Sequence, residues 1–382
     1  MKRISLEPRP QWQGKMEELG FNYHTIEGET YWDESACYAF TAAQIDRVEA
    51  AAQELQRICL RAVDHVITKG LFDQFSLMAN YIPQIESSWK KKEPSIYGRF
   101  DLSWDGSGDP KLLEYNADTP TALLEASVAQ WHWLQEAFPD ADQFNSIHEK
   151  LIERWKTLLP NLPQPVYFAC VKESDEDFGN VEYLRDTAVQ AGFKTQGIFI
   201  EDLGWDAGKS AFVDLENQAI PSLFKLYPWE WMEEEDFGKY IPGNVMRVLE
   251  PAWKMLLSNK AILPILWELF PGHPNLLPSY TSVETMERER RGRPYVIKPI
   301  LSREGANVEI RDGKNVLKSP GSYENENTIT QAYAPLPDFT GNHPVIGAWI
   351  IGEEAAGMGI REDKNLITTN TSRFVPHYFT EE

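Results

Sequence analysis

The sequence predicts an α+β protein that carries a small α/β domain with a parallel sheet. Residues 95–121 read as two strands joined by a turn rich in Asp, Gly and Pro, which is typical of a hairpin. From Pro165 a short apolar strand, a helix and a second strand follow one another, and this order favours a parallel sheet. The last third of the chain is rich in strand-forming residues. We therefore expect three segments, 1–160, 161–250 and 251–382.

The composition argues against several classes of partner. The chain of 382 residues has a formal net charge of -21, which argues against binding to nucleic acid or to an anionic membrane. This charge suits a cationic substrate, but simple solubility is the commoner reason for an acidic composition. Cys37, Cys59 and Cys170 lie far apart without CxxC spacing, which indicates a reducing compartment. Because we find no signal peptide and no apolar stretch of membrane-spanning length, we expect a cytoplasmic protein.

The N-terminal segment contains a clear helical pattern. Apolar residues recur at helical spacing between Thr41, the expected N-cap, and Gly70, which follows the predicted last turn. Two further helices are predicted after the hairpin, at residues 122–138 and 147–159, and Pro160 closes the second. These helices supply apolar faces that can cover a sheet.

The turn of the hairpin sets the register of its two strands. If residues 105–110 form the loop, Trp104 pairs with Lys111. Counting back along both strands then places Asp101 opposite Glu114. A slip of one residue would turn one of these carboxylates to the other face, so the alignment is an inference about register.

The same register places Arg99 opposite Asn116, beside the two carboxylates. Carboxylates that face each other across a ladder repel, so a positive charge is expected there: Arg99, a bound cation, or both. Oxygen atoms of Asp, Glu and Asn suit Mg²⁺, and the lack of a nearby Cys or His argues against zinc. The residue types alone leave open a purely structural cluster in which Arg99 neutralises the acids.

The segment after Pro165 continues with a helix ending at Gly192 and with a further strand predicted at residues 222–232. Glu230 lies in that strand between two tryptophans and is a candidate contact for a cationic substrate. A solvated acidic surface explains the charged run equally well.

The C-terminal segment carries a lysine on a predicted strand. In residues 293–301 Val296 and Lys298 share one face, and a lysine on an inner face is costly unless an anion receives it. The polar turn that follows contains one glycine and is not a Walker loop. TITQAYAPLP, VIGAWIIG and AAGMGIRED are expected to form successive antiparallel strands. Together with the acidic hairpin, this lysine and turn suggest binding of ATP with Mg²⁺.

Five motifs resemble those of the glutathionylspermidine synthetase family: YGRFD, LLEYNADTPT, NKAILP, IKPILSREGANV and GMGIRED. The resemblance covers essentially the whole chain and matches the synthetase half of that family without its amidase half. It implies an ATP-grasp fold in permuted order, with the metal-binding strands preceding the ATP lysines. It also implies an ATP-dependent carbon–nitrogen ligase, which activates an acid as an acyl phosphate that an amine then attacks.

The resemblance also assigns roles to residues that match the family motifs. The implied Mg²⁺ ligands are Asp101, Glu114 and Asn116. The implied ATP contacts are the phosphate lysines Lys260 and Lys298, the loop residues Glu304 and Gly305, and Gln331 near adenine. Arg99 and Arg361 are implied to stabilise the transferring phosphoryl group, and Thr119 and Thr121 to meet the acid substrate.

Three departures from the family pattern bear mainly on the substrates. Val345 stands where the family has an ATP-contacting glutamine, and Glu304 stands where a small residue is expected. Residues 165–238 match least well, so glutathione and spermidine need not be the substrates. We expect a small acid, either a peptide or an amino acid, and an amine such as a polyamine.

Two other functions compete with this interpretation. One is a degenerate ATP-grasp protein that binds nucleotide or a partner without ligation, but the presence of both Arg99 and Arg361 argues against it. The other is a glycoside hydrolase with paired carboxylates in a cleft lined by some of the 13 tryptophans. That function requires neither the lysine in IKP nor Asn116.

Overall fold

The computed structural model describes residues 1–26, 28–243 and 245–381, in which helices and strands are mixed along the chain. Within this part the α-helices are α1 Trp12–Glu18, α2 Ala42–Lys69, α3 Ile82–Lys90, α4 Gln130–Ala137, α5 Ile147–Leu158, α6 Asp175–Gln190, α7 Trp229–Glu234, α8 Met255–Ser258, α9 Ile262–Leu269 and α10 Val283–Glu289. The strands are β1 Lys2–Ser5, β2 Thr25–Ile26, β3 Glu29–Thr30, β4 Ala36–Thr41, β5 Tyr97–Ser103, β6 Lys111–Asn116, β7 Val166–Cys170, β8 Thr195–Phe199, β9 Gly204–Asp206, β10 Ala211–Val213, β11 Ser222–Lys225, β12 Arg247–Leu249, β13 Ser279–Tyr280, β14 Tyr295–Pro299, β15 Glu309–Asp312, β16 Asn315–Lys318, β17 Thr328–Ala332, β18 His343–Ile351, β19 Glu354–Asp363, β20 Arg373–Phe374 and β21 His377–Thr380.

The predicted hairpin, β5 and β6, forms one edge of a five-stranded antiparallel sheet in the order β20-β19-β18-β5-β6, which we call the hairpin sheet. One face of this sheet is apolar: Ile346, Ala348 and Ile350 of β18 join the hydrophobic cluster that contains the buried face of α2. Because side chains alternate along a strand, the polar residues of the hairpin lie on the other face.

The predicted strand with Lys298 is β14, at the centre of a second antiparallel sheet in the order β13-β17-β14-β15-β16, which we call the lysine sheet. The prediction of successive antiparallel strands at the C-terminus is wrong in one respect. The first of them, β17, pairs with β14 in the lysine sheet, whereas β18 and β19 pair with each other in the hairpin sheet. The two sheets are thus interleaved along the chain.

The segment after Pro165 forms a four-stranded parallel sheet in the order β12-β11-β7-β8. The strand predicted at residues 222–232 is shorter than expected. Only β11 is extended, and Pro228, which lacks an N–H for a sheet ladder, precedes the short helix α7. The helix predicted at residues 122–138 is also irregular, since residues 125–129 form a π-helical turn before α4.

The long helix α2 confirms the N-terminal prediction at both ends. Thr41 Oγ1 accepts a hydrogen bond from the backbone N–H of Gln44 at 3.3 Å, and the Gln44 side chain accepts one from the N–H of Thr41 at 3.2 Å. This reciprocal pair is a capping box, which satisfies two N–H groups that a helix start leaves free. Gly70 ends the helix in the left-handed conformation, with φ of 67°.

Replacing Thr41 with alanine should lower the free energy of unfolding by about 1 kcal/mol, because the cap oxygen is lost. Thr41→Ser keeps that oxygen and is the matched control, and urea unfolding of the three proteins measures the difference. Equal stability of the serine and alanine variants would contradict a capping role.

All three cysteines are buried and unpaired in the structure. Among the described residues, we find no helix with the length and apolar character needed to cross a membrane.

Candidate active site

The register of the hairpin is as predicted at its polar end. Asp101 pairs with Glu114, and Arg99 pairs with Asn116. All four side chains therefore lie on the face of the hairpin sheet away from α2.

The register differs from the prediction near the loop. Ser103, and not Trp104, pairs with Lys111, because the ladder shifts by one residue after Asp101. Leu113 is the extra residue of this β-bulge. It lies between Leu112 and Glu114 on β6 and has no partner on β5, so the pairing beyond it is offset by one residue.

The bulge joins the hairpin to the lysine sheet. Lys298 Nζ donates to the carbonyl oxygen of Leu113 at 2.9 Å and to Gln331 Oε1 at 2.8 Å. Gln331 Nε2 donates to the carbonyl oxygen of Leu112 at 3.1 Å. The two sheets therefore meet at β6, with Lys298 and Gln331 beside the acidic residues of the hairpin.

The pairing of β18 and β19 brings Arg361 to the same face. Asp101 lies opposite Gly347 of β18, and Arg361 of β19 lies opposite Val345, two residues before Gly347. Glycine at 347 is required by space, because a Cβ there would lie 2.8 Å from Cδ of Arg99. Val345 lies among these residues, but its side chain has no polar atom.

Arg99 is held firmly by its neighbours. Its Nε and Nη2 donate to the two carboxylate oxygens of Asp101 at 2.8 and 3.1 Å, and its Nη1 donates to the carbonyl oxygen of Thr121 at 2.7 Å. Burial lowers the pKa of Arg99, but the charge and hydrogen bonds of Asp101 outweigh burial and raise it. This arginine therefore stays charged and fixes the orientation of Asp101.

The positive charge expected beside Glu114 is present, but two lysines supply it in addition to the expected Arg99. Its Oε2 lies 3.2 Å from Nζ of Lys260, whose Nζ also donates to the carbonyl oxygen of Ser302 at 2.6 Å. Burial alone would raise the pKa of Glu114, but Lys260 and Lys298 lower it to about 2. Burial also lowers the pKa of Lys298 to about 8, against the opposing charge of Glu114.

The predicted metal ligands lie together and present oxygen atoms. Asn116 Nδ2 donates to Asp101 at 3.1 Å and to Glu114 at 3.5 Å, so a half-turn of its amide would add Oδ1 to the two carboxylates. Such a donor set suits Mg²⁺. In the described part of the chain no group of three or more His, Cys, Asp and Glu residues has a metal-binding arrangement, so the amide of Asn116 would be needed.

Two pockets meet at this cluster. The first, which we call the inter-sheet pocket, lies between the two sheets and has apolar walls from β14, β15 and the segment after β17. It contains these residues predicted to bind ATP: Lys260, Lys298, Gly305 and Gln331.

The second, which we call the arginine pocket, adjoins the first and shares Asp101 and Glu114 with it. It contains Arg99, Asn116, Thr119, Thr121, Glu304, Gly305 and Arg361. Asp101 and Glu114 line both pockets. Glu230 is not among the lining residues of either pocket.

Sequence reasoning missed Arg303. Its Nη1 donates to Thr119 Oγ1 at 2.7 Å, and its Nη2 forms an ion pair with Glu230 at 2.5 Å. Glu230, predicted as a contact for a cationic substrate, is therefore already engaged by a cation of this chain. The available signal was a basic residue within the motif IKPILSREGANV, directly before Glu304 and Gly305.

Sequence reasoning also missed Asp177, which lines the arginine pocket from the start of α6. Burial, followed by the charges of Glu176 and Glu304, raises the pKa of Asp177 to about 7. The signal was the predicted β-α-β unit, because ligands of such sheets bind at the carboxyl ends of the strands and α6 begins just after β7.

Two loops meet over the arginine pocket. Glu304 and Gly305 both adopt left-handed backbone, with φ of 52° and 68°, which explains why a small residue is expected at 304. A Cβ on Gly305 would lie 2.4 Å from the carbonyl oxygen of Thr368, so the loops are in close contact. Arg361 Nη2 donates to the carbonyl oxygens of Thr369 and Asn370 at 2.5 and 2.9 Å.

Comparison with known proteins finds one family over almost the entire chain. Residues 3–380 match the family described as glutathionylspermidine synthase preATP-grasp. A Haemophilus influenzae protein named "Putative acid--amine ligase" is 41% identical, and the match covers 99% of this chain and 100% of that protein. Trypanothione synthetase of Crithidia fasciculata is 28% identical over 78% of this chain and 50% of its own length.

The bifunctional glutathionylspermidine synthetase/amidase of Escherichia coli is also 28% identical, over 89% of this chain. The match spans 58% of that protein and 50% of the Crithidia enzyme. Among solved structures, a glutathione synthetase-like effector from Globodera pallida has the same fold, with a TM-score of 0.57, 10% identity and 98% coverage of both chains.

Proposed function

The chain belongs to the glutathionylspermidine synthase family, and from that membership we propose that it is an ATP- and Mg²⁺-dependent ligase that joins a small acid to an amine. The proposed fold is an ATP-grasp arrangement in permuted order, with segment 161–250 as the substrate domain. The proposed reaction forms an acyl phosphate from the acid and the γ-phosphoryl group of ATP. Attack by the amine then forms the amide and releases phosphate.

The inter-sheet pocket supports ATP binding. Its apolar walls suit a planar base, and Gln331 supplies an amide beside it. Lys260 and Lys298 place two ammonium groups at the end of the pocket next to Glu114, where a polyphosphate would be neutralised. When Mg²⁺ is bound by Asp101, Glu114 and Asn116, it would neutralise further charge on the phosphates.

The arginine pocket supports activation of the acid. Arg99 and Arg361 lie in it together, and a guanidinium group matches the planar, bidentate geometry of carboxylate and phosphoryl oxygens. Thr119 and Thr121 follow β6 at the pocket and offer polar groups for the acid substrate. Arg303 would change its contacts with Thr119 and Glu230 if the acid binds there.

Two carboxyl groups of the arginine pocket support binding of the amine. Asp177 and Glu304 line the pocket, and both carboxyl groups have a raised pKa because burial disfavours their charge. A carboxyl group with a pKa near 7 is suited to accept a proton from an attacking ammonium group. The net charge of -21 favours approach of a cationic amine.

The observation that carries the proposal is that Asp101 and Glu114 line both pockets. A metal ion held by this acidic pair would be in reach of a phosphate in one pocket and of an acid in the other. A ligase requires such a junction, whereas a protein that only binds nucleotide needs the inter-sheet pocket alone.

The test is a screen of acids against amines, with ADP release and product mass as readouts. Amino acids, short peptides and polyamines form the panel, and each active pair should yield a product with the mass of the acid plus the amine minus water. ATP binding without ADP release for any pair would refute ligation. ADP release that never yields an amide would do the same.

ATP binding at pH 8 should be accompanied by proton uptake. Lys298, with a pKa of about 8, is protonated in only part of the free protein, and a nearby phosphate raises that pKa. We expect an uptake of roughly half a proton per ATP, measured by calorimetry in two buffers of different ionisation enthalpy. Lys298→Arg keeps a permanent charge and should bind ATP without this uptake. The same uptake in both proteins would contradict the assignment.

A further inference from the structure

A third cavity, of about 700 Å³, lies away from the candidate active site and shares no lining residue with its two pockets. Its walls come from α2, the end of α3, the segment before β5, α5, the residue Trp253 and the turn between β18 and β19. The volume lies within the range of pockets that hold small molecules. We call it the Arg154 cavity.

The cavity contains an arginine without a carboxylate partner. Arg154 Nε donates to the carbonyl oxygen of Ser95 at 2.8 Å, and within the described residues its two terminal nitrogens form no hydrogen bond or ion pair. Gly352 lies directly against this side chain, since a Cβ there would be 3.3 Å from both Cδ and Nε. The guanidinium group is thus packed on one side and has free donors at the cavity.

Three of the acidic groups near Arg154 are already engaged. Glu250 lies below Ser95 and accepts hydrogen bonds from two backbone N–H groups and from Lys254 Nζ, at 2.9 Å for the lysine. Glu93 pairs with Arg247, and Asp64 accepts a hydrogen bond from the indole of Trp89 at 3.1 Å. The fourth, Glu353 at the rim, is exposed to solvent. Burial lowers the pKa of Arg154, and the charge of Glu353 opposes this shift without forming an ion pair with Arg154 in the described residues.

The remaining wall is aromatic. Trp89 and Trp253 pack edge to face with ring centroids 5.3 Å apart, and both indole N–H groups donate to protein oxygens. Their polar atoms are therefore satisfied, and the rings offer an apolar surface beside a charged guanidinium group. Lys92 adds an exposed ammonium group at the rim.

We propose that the Arg154 cavity is a binding site for a small aromatic carboxylate, whose ring packs against Trp89 and Trp253 and whose carboxylate pairs with Arg154. A guanidinium group with both terminal nitrogens free is suited to accept a carboxylate in bidentate fashion. The site does not depend on the ligase proposal, because none of its residues lies in the active-site pockets.

The experiment measures binding of phenylacetate and indole-3-acetate by calorimetry and by the shift in melting temperature. Each acid is compared with its neutral amide, which has nearly the same shape but no charge. We expect saturable binding of at least one acid and binding about tenfold or more weaker for its amide, on the scale of a charged hydrogen-bonded pair. Saturating ATP with Mg²⁺ should not abolish this binding, because the Arg154 cavity is separate from the pockets of the candidate active site.

Two variants locate the site. Arg154→Met keeps an unbranched side chain over Gly352 and removes the charge, so it should lose the preference for the acid over the amide. Leu60→Trp fills the cavity from α2 while Arg154 remains, and it should weaken the binding of both the acid and the amide. This variant tests the proposal by itself if the methionine variant does not fold. Absence of saturable binding at millimolar concentration, or acid binding unchanged in the variant that folds, would overturn the proposal.

Discussion

Replacing Arg361 with alanine should lower kcat by about 10²–10³-fold while the affinity for ATP changes far less. The residue lies in the arginine pocket, away from the walls of the inter-sheet pocket. In the described residues its buried Nε has no hydrogen-bond partner, so a donor is available for charge that develops during phosphoryl transfer. An interaction made mainly in the transition state lowers kcat without an equal loss of ground-state binding.

Two controls separate this role from a structural one. Arg361 also donates to the carbonyl oxygens of Thr369 and Asn370, so its loss removes two hydrogen bonds that hold a loop. Arg361→Gln can still donate to those carbonyls but lacks the charge, and it should be nearly as slow as the alanine variant. Arg57→Ala removes an exposed arginine that pairs with Glu54, its one ion-pair partner among the described residues, and this variant should be fully active. If kcat and ATP affinity fall together, Arg361 is a ground-state contact.

Replacing Glu114 with glutamine should destabilise the ligand-free protein at pH 7, by on the order of 1 kcal/mol. Repulsion between Asp101 and Glu114, expected from the hairpin alone, would instead make the glutamine variant more stable. The two lysines favour the destabilising outcome, because Lys260 and Lys298 lower the pKa of Glu114 to about 2. A carboxyl group whose pKa is lower in the folded state stabilises the fold above its unfolded pKa. That contribution disappears as the pH falls from about 4.3 through the folded value.

Mg²⁺ with ATP should enlarge the difference between the two proteins. At a ligand concentration of about 100 times the dissociation constant, the wild-type protein gains about 2.7 kcal/mol by mass action. The glutamine variant lacks one charged metal ligand and should gain much less. Melting curves at pH 7 and in the acid range, each with and without Mg²⁺ and ATP, measure both effects. Glu18→Gln, at an exposed position, is the control. A variant that keeps the full ligand-induced shift would exclude Glu114 as a metal ligand.

The parts of the site that are local in sequence were predictable. Alternation along β5 placed Arg99 and Asp101 on one face, and alternation along β6 did the same for Glu114 and Asn116. The pairing of Asp101 with Glu114 was predicted from a loop one residue too short, and the bulge restores that pairing. The bulge at Leu113 was not predictable, because one extra apolar residue hardly changes the pattern of a strand. What stabilises it is Lys298, which is far away in the sequence and donates to the Leu113 carbonyl.

The parts that depend on distant pairing were not predictable. The strand β18 pairs with β5, which lies some 240 residues earlier, and no local pattern specifies that choice over pairing with β17. Arg303 and Asp177 enter the site through such tertiary contacts, one from a loop and the other from the start of α6. The motif resemblance supplied residues on several of these elements, which periodicity alone could not connect.

The bulge in β6 has a mechanical consequence. Lys298 and Gln331 bind the carbonyl groups of Leu113 and Leu112, and the N–H of Leu112 donates to the carbonyl oxygen of Asn275 at 2.8 Å. If the cleft between the sheets opens, these contacts at β6 would make β6 the axis about which the two sheets rotate. Displacement grows with distance from such an axis, so Glu114, next to the bulge, would move least. The rotation axis would then pass close to the proposed metal site. The cleft would open to release a product while the metal ligands keep their positions.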